Sequence, residues 1–239
     1  MNTVIFDLDG TITDPAEGII RSINHALVGL GYAARPERDL EKYIGPQLSV
    51  TFSELLGTAN ETRLARAIEL YRERYIPIGY RENRLYEGIH KVLSRLIAAG
   101  SSLCIATVKR RDIAVKVLEF LGVGTFFAQV HGCDIHRSKS DLLGDILSDG
   151  ALAARPTVMI GDRATDFRAA AAVGMPSIGV RWGYGTDAEL AMATHVVATP
   201  SELPEAIERT AQPANASDSD MTASQRVSLR ASDSNRAIR

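Results

Sequence analysis

From residue 88 onward, short apolar runs alternate with segments of helical period, and this alternation limits the fold more than any other feature of the chain. The runs occupy residues 103–106, 127–130, 157–160 and 177–180. Between them lie three helical stripes: Ile89, Val92, Leu93, Leu96 and Ile97; Ile113, Val117, Leu118 and Leu121; and Leu142, Leu143, Ile146 and Leu147. Gly100 and Gly122 follow the first two as stop signals. A strand, one helix and the next strand, repeated, builds a parallel sheet through right-handed crossovers. The runs are apolar almost throughout, as expected of a sheet covered on both faces. Val4-Ile5-Phe6 has the same character but stands apart from the others.

What separates it is residues 14–86, which hold no comparable strand. Asp14-Pro15-Ala16-Glu17 offers an N-cap, a proline at N1 and a glutamate at N3, a strong helix start. Ile19, Ile20, Ile23, Leu27 and Leu30 then form one stripe closed by Gly31, and Leu64, Ala67, Ile68, Tyr71 and Tyr75 form another that ends before Pro77. The pattern predicts an all-helical insert, with a helical extension of a single core as the plainer alternative. The predicted division is 1–13 plus 87–210 for the α/β core and 14–86 for the insert. The last 29 residues, 211–239, hold six Ser and six Ala, with Met221, Val227, Leu229 and Ile238 as the larger apolar residues. Burial at that density cannot offset ordering entropy, so a disordered tail is expected.

Composition excludes several classes. A net charge of −2 argues against binding to nucleic-acid polymers or membrane surfaces through bulk charge. No apolar run approaches the roughly 18 residues of a membrane span, and Met-Asn-Thr lacks the basic start of a signal peptide. The two cysteines, Cys104 and Cys133, read as core thiols, and the five histidines show no zinc spacing. The expectation is a cytoplasmic protein, monomeric or a small homo-oligomer.

The chemistry concentrates at strand ends. Asp7-Leu8-Asp9-Gly10-Thr11 follows the first apolar run, which aims two carboxylates into the crevice where open α/β sheets bind ligands. Gly10 and Thr11 are expected to turn the backbone with amides facing an anion. An Asp-rich turn is the plain alternative, but a second acidic cluster, Gly161-Asp162-Arg163-Ala164-Thr165-Asp166, follows another strand. If the two ends are adjacent, Asp7, Asp9, Asp162 and Asp166 crowd together, and two unit charges at about 4 Å repel by about 4 kcal/mol at an effective dielectric of about 20. Such a group needs protonation or a cation, and an all-oxygen site suits Mg²⁺. Thr107 adds a hydroxyl past a third strand, and Lys139 adds an ammonium where a helix begins. Each is weak alone, as a helix cap or a solvated lysine; the order Asp…Thr…Lys…Asp is far more specific.

These motifs resemble, in order, the four of the haloacid dehalogenase superfamily, phosphatase branch: Asp7 to Thr11, Thr107, Lys139 and Gly161 to Asp166. Tyr43-Ile44-Gly45-Pro46, Tyr86-Glu87-Gly88-Ile89 and the 179–185 segment resemble the phosphoglycolate phosphatase-like group. Arg137-Ser138-Lys139 and Gly161-Asp162-Arg163 are similar to bacterial 5′-nucleotidases. The resemblance implies a Rossmann-like core, a helical cap, Mg²⁺ as cofactor and a small phosphorylated metabolite as substrate, either phosphoglycolate-like or a nucleoside 5′-monophosphate. It implies Asp7 as nucleophile and Asp9 as acid and base. Gly10, Thr11, Thr107, Val108 and Lys139 would bind phosphate, and Asp7, Asp9 (through its carbonyl), Asp162 and Asp166 would hold the metal. The family often has Ser or Asn where Val108 stands and Pro where Arg110 stands.

A phosphosugar mutase shares the nucleophile and Asp9, and phosphate retained on product would distinguish it. A 2-haloacid dehalogenase has no evident need for Asp9 with a metal cluster. A non-catalytic binding module is the reading from a different class, opposed by the intact Asp7, Asp9, Lys139 and Asp162. Lys109, Arg110 and Arg111 read as a solvated helix start, Trp182 to Gly185 as a packed loop, and Tyr43 to Gln47 as a cap loop with a fold role.

Overall fold

The computed structural model describes residues 1–133, 137–153 and 155–211. The tail expected over 211–239 therefore lies, beyond Ala211, outside the described residues, as does His136.

Six parallel strands form the main sheet: β1 (Thr3–Phe6), β4 (Ser102–Thr107), β5 (Phe127–Gly132), β6 (Thr157–Gly161), β7 (Ser177–Val180) and β8 (His195–Val197), in the order β5-β4-β1-β6-β7-β8. Two-residue strands β2 (Thr13–Asp14) and β3 (Arg84–Leu85) pair separately and antiparallel. β1 is the central strand because its residues Thr3 to Phe6 are all buried and so suit neither edge. Its two faces serve different cores. Val4 and Phe6 join the Ile89–Ala98, Arg111–Phe120 and Leu203–Ala211 helices, whereas Ile5 joins the Lys139–Ser148 and Ala164–Ala172 helices.

The strand order reverses about β1, with β4 on one side and β6 on the other. In that switch point the loops diverge and leave a crevice at the strands' C-terminal ends. Register decides what meets there. Phe6 lies opposite Ile105 on β4 and Ile160 on β6. Asp7 therefore emerges between the ends that carry Thr107 and Asp162, its amide donating to the Ile160 carbonyl at 2.8 Å.

The chain leaves the sheet through β2 and returns through β3, so one small antiparallel ribbon closes the insert. Its helices are Ala16–Gly29, Leu48–Leu56 and Glu61–Tyr75, with short turns between. They bury a core of their own around Ile23, Leu27, Leu40, Phe52 and Tyr71, which Ile113 of the α/β part joins. The first helix begins one residue later than its sequence signal: Pro15 is the N-cap, and the Asp14 carboxylate still accepts from the Ala16 amide at 3.1 Å. The apolar pattern passes over β8, because only Val197 of its three residues is buried. Among the described residues, no helix is long and apolar enough to cross a membrane.

Candidate active site

Asp7, Asp9, Thr107, Lys139, Asp162 and Asp166 all meet at the C-terminal end of β1, and all six are buried. Each arrives for a local reason. Asp7 and Asp9 follow the buried run of β1, and Asp162 follows that of β6. Asp166 lies in the first turn of the Ala164–Ala172 helix, where its Oδ2 accepts from the Arg163 amide at 2.9 Å and caps the turn. Lys139 opens the Lys139–Ser148 helix, whose start is fixed by a Ser138–Asp141 capping box.

Carboxylate oxygens of Asp7, Asp162 and Asp166 lie within 4.8 Å of one another. Lys139 Nζ sits 2.8 Å from Asp7 Oδ1 and bonds Asp166 Oδ1. One ammonium is thus shared by Asp7 and Asp166, and Asp162 completes a group of three buried carboxylates. Burial, then Asp166 and Asp7, push the Asp162 carboxyl well above the usual range, although the Tyr184 amide opposes them. Burial also moves Asp166 to about 6, against the pull of Lys139. The excess negative charge, the all-oxygen donor set and the small separation fit a hard divalent cation.

Gly10 makes this crowding possible. Its φ of +83° is open to glycine, and a Cβ there would collide with the Asp162 carboxylate. Thr11 Oγ1 then donates to Asp162 Oδ1 at 3.3 Å, and the Tyr184 amide donates to Asp162 Oδ2 at 2.8 Å. A Cβ at Gly185 would overlap the Asp162 carbonyl, so the 182–185 loop packs directly on the second acidic cluster. Trp182 Nε1 ties the same loop to the Thr11 carbonyl at 3.0 Å. The packed-loop reading holds.

Two expectations need correction. The Gly10 and Thr11 amides do not face the crevice as free donors. Gly10 N–H donates to the Thr13 carbonyl at 2.8 Å and Thr11 N–H to that of Leu8 at 3.4 Å, because the chain turns immediately into β2. Nor is Lys109 a solvated helix start. Its Nζ lies 2.7 Å from Asp9 Oδ2 and donates to Tyr75 OH at 3.0 Å, with its side chain 10% exposed. Burial disfavours the ammonium, but Asp9, Tyr75 and Tyr71 outweigh it and raise the pKa of Lys109. Asp9 is raised too, because burial exceeds the opposing pull of Lys109.

Asp9's carboxylate is therefore paired with Lys109 and stands apart from the other three. Thr107 ends β4, where its Oγ1 accepts from the Lys109 amide at 3.3 Å. Val108 is partly buried and packs against the core cluster that contains Cys104 and Cys133.

Sequence reasoning missed the contacts made by the insert. Arg163 Nη1 donates to the Ile44 carbonyl at 3.0 Å while its Nε donates to Glu189 at 3.1 Å, so the second acidic cluster touches the Tyr43 to Gln47 loop. The Tyr184 hydroxyl bonds Asp14 at the mouth of the ribbon. The signal for Lys109 was present, since it lies two residues past Thr107 on the same strand end. Tyr75 carried none beyond its place in an apolar stripe.

The sequence matches the haloacid dehalogenase-like hydrolase family over residues 4–180. A 5′-nucleotidase of Pseudomonas aeruginosa is 36% identical over 210 residues, covering 86% of this chain and 95% of its own. The tyrosine-protein kinase PtkA of Mycobacterium tuberculosis is 38% identical over 215 residues, covering 85% and 72%. A phosphoglycolate phosphatase of Agrobacterium fabrum is 35% identical over 190 residues, covering 75% and 80%. The crystal structure of a predicted phosphatase from Clostridium acetobutylicum superposes with a TM-score of 0.81 at 33% identity, over 87% of this chain and 98% of that one.

Proposed function

The chain belongs to the haloacid dehalogenase-like hydrolases and is a phosphatase of that family, and on that premise we propose that it hydrolyses small phosphomonoesters with Mg²⁺ through an aspartyl-phosphate on Asp7. One observation carries this reading: a buried carboxylate ends the central strand, held by Lys139 and within 4.8 Å of the Asp162 and Asp166 carboxylates.

Asp7 attacks phosphorus with a carboxylate oxygen, and the bond from phosphorus to the leaving oxygen breaks. Lys139 holds Asp7 in place and offers its remaining proton to a phosphate oxygen, and the Thr107 hydroxyl donates to another. With the Gly10 and Thr11 amides engaged, these two side chains and the backbone of Val108 carry phosphate recognition, while Gly10 and Thr11 shape the floor. Asp9 gives its proton to the leaving oxygen, a role favoured by the burial that raises its pKa. The resulting Asp9 carboxylate then takes a proton from water as that water attacks phosphorus. The bond between Asp7 and phosphorus breaks, and inorganic phosphate leaves.

Asp7, Asp162 and Asp166, with the Asp9 backbone carbonyl, would hold Mg²⁺, which supplies charge neutralisation for the transferring phosphoryl group. The helical insert, residues 14–86, acts as a cap over the crevice and excludes water from it. Its Tyr43 to Gln47 loop, held to Arg163 through Ile44, is placed to meet the part of the substrate beyond the phosphate. By their names two of the three relatives act on 5′-nucleotides and on phosphoglycolate, and both compounds are alkyl monoesters of the size we propose, whereas the third is named a tyrosine-protein kinase.

The test is a phosphate-release screen of nucleoside 5′-monophosphates, phosphoglycolate and sugar phosphates, run with EDTA and with Mg²⁺. We expect no turnover in EDTA, restoration by Mg²⁺ and poor substitution by Ca²⁺, which prefers more ligands at longer distances. Full activity in chelator would remove the metal, and phosphate release by Asp7→Asn at the wild-type rate would remove the nucleophile.

A further inference from the structure

Lys109 is a largely buried cation two residues past Thr107, with no role in the reaction as drawn above, and it touches both halves of the molecule. Lys109 follows β4, its partner Asp9 follows β1, and its other partner, Tyr75, is the last residue of the insert's Glu61–Tyr75 helix. Its Nζ also lies 4.7 Å from the centroid of the Tyr75 ring, a cation–π contact. Tyr75 is itself fixed. Its ring stacks on Tyr71 at 5.2 Å with 13° between planes, Phe52 meets Tyr71 edge-on, and the Tyr75 hydroxyl accepts from Asn83 Nδ2 at 3.3 Å. Among the described residues Asp9 is held from one side alone, because its buried Oδ1 has no hydrogen-bond partner there.

We propose that Lys109, seated by Tyr75, is a positioning residue that couples the placement of the helical insert to the orientation of the Asp9 carboxylate. The proposal rests on the acid–base role given to Asp9 above. Lys109 has the reach and burial to fix one carboxylate oxygen, and water can do little to replace a contact so poorly screened. A shift of the insert moves the Tyr75 hydroxyl and ring, releases the ammonium, and frees the carboxylate to rotate. The seated insert restores the arrangement, so Asp9 is aimed at the leaving oxygen only when the crevice is covered. A proton donor must lie within about 3 Å of the atom it serves, and misplacement by about 1 Å can cost about 100-fold.

The experiment compares phosphoenzyme formation in single turnovers on two esters in Mg²⁺: uridine 5′-monophosphate, whose leaving alkoxide needs a proton, and p-nitrophenyl phosphate, whose leaving group needs little. Lys109→Met should slow the alkyl ester by about 100-fold and the aryl ester by far less, so the ratio of the two rates falls. Tyr75→Phe, which keeps the stacked ring and removes only the hydroxyl, should lower the same ratio by a smaller factor. In an Asp9→Asn background, where the ratio has already collapsed, Lys109→Met should lower it no further. Equal losses on both esters, or a further fall in the double variant, would overturn positioning through Asp9. An unchanged ratio in Tyr75→Phe would overturn the coupling to the insert, and it does so even if Lys109→Met does not fold. Wild-type turnover of either ester in the same assay keeps these outcomes separate from failure of the phosphatase reading.

Discussion

Asp162→Asn should make the metal-free protein more stable and the Mg²⁺-loaded protein less stable than wild type. The wild-type carboxylate sits within 4.8 Å of those of Asp7 and Asp166. At that separation each pair of unit charges repels by about 3.5 kcal/mol at an effective dielectric of about 20. The Tyr184 amide and Arg163 return part of this, which leaves on the order of 2 kcal/mol to be gained by removing the charge. The amide preserves the local bonds, since its carbonyl can accept from the Tyr184 amide and its NH₂ can donate to Thr11 Oγ1, the wild-type partners. The sign with pH follows from the raised pKa of Asp162, which burial causes first and the two carboxylates second. A carboxyl whose folded pKa lies above its unfolded value gives stability that is full below the unfolded pKa and is lost as pH rises through the folded one. Asparagine does not titrate and loses nothing. In EDTA the variant's advantage should therefore be near zero at pH 4 and should grow toward pH 8.5. There, about 2 kcal/mol corresponds to a Tm higher by about 4–8 °C for a chain of this size. Mg²⁺ at about 100 times its Kd should stabilise wild type by about 2.7 kcal/mol, and the variant by much less. Differential scanning calorimetry in EDTA and in Mg²⁺ across this pH range decides the matter. A variant less stable than wild type in EDTA at pH 8.5, or stabilised equally by Mg²⁺, would refute the charge argument.

Other perturbations separate the parts of the site. Asp7→Asn should abolish turnover while leaving far-UV circular dichroism unchanged, and fluoroberyllate with Mg²⁺ should protect wild type but not the variant from thermal unfolding. Lys139→Met leaves Asp7 and Asp166 buried without their ammonium and should cost about 3–5 kcal/mol at pH 7.5, measured by urea unfolding. Gly185→Ala must push the 182–185 loop off the Asp162 carbonyl. It should lower kcat by at least about tenfold, with a smaller Mg²⁺-induced rise in Tm, whereas an unchanged Tm response would mean that the loop yields without moving Asp162. Arg163→Met removes the bond to the Ile44 carbonyl and should raise KM for a nucleoside monophosphate more than it lowers kcat on p-nitrophenyl phosphate, read from steady-state kinetics.

What the sequence determines here is whatever depends on neighbours along the chain. The apolar runs are enough to place β1, β4, β6 and β7, whose residues are nearly all buried, and even the edge strand β5, where only Phe127 is buried, keeps a short run. Asp7, Thr107 and Asp162 are legible for the same reason, each standing one step past such a strand, or at its last residue. The Ser138 cap announces where Lys139 begins its helix, and the helical stripes announce the insert. Tertiary structure decides the rest, because burial and pairing belong to surfaces brought together from distant segments. Lys109 follows a strand end and precedes two arginines, so by itself it reads as solvated; only the seating of Tyr75, 34 residues away, buries it against Asp9. The Gly10 amide reads as an anion donor until the ribbon of β2 and β3 supplies the Thr13 carbonyl that claims it. Arg163 stands within a motif made of carboxylates, yet the reach of its guanidinium to Ile44 exists only because the insert folds back over the sheet. An ionisable side chain's role is set by what removes it from water, and that is a property of the assembled fold.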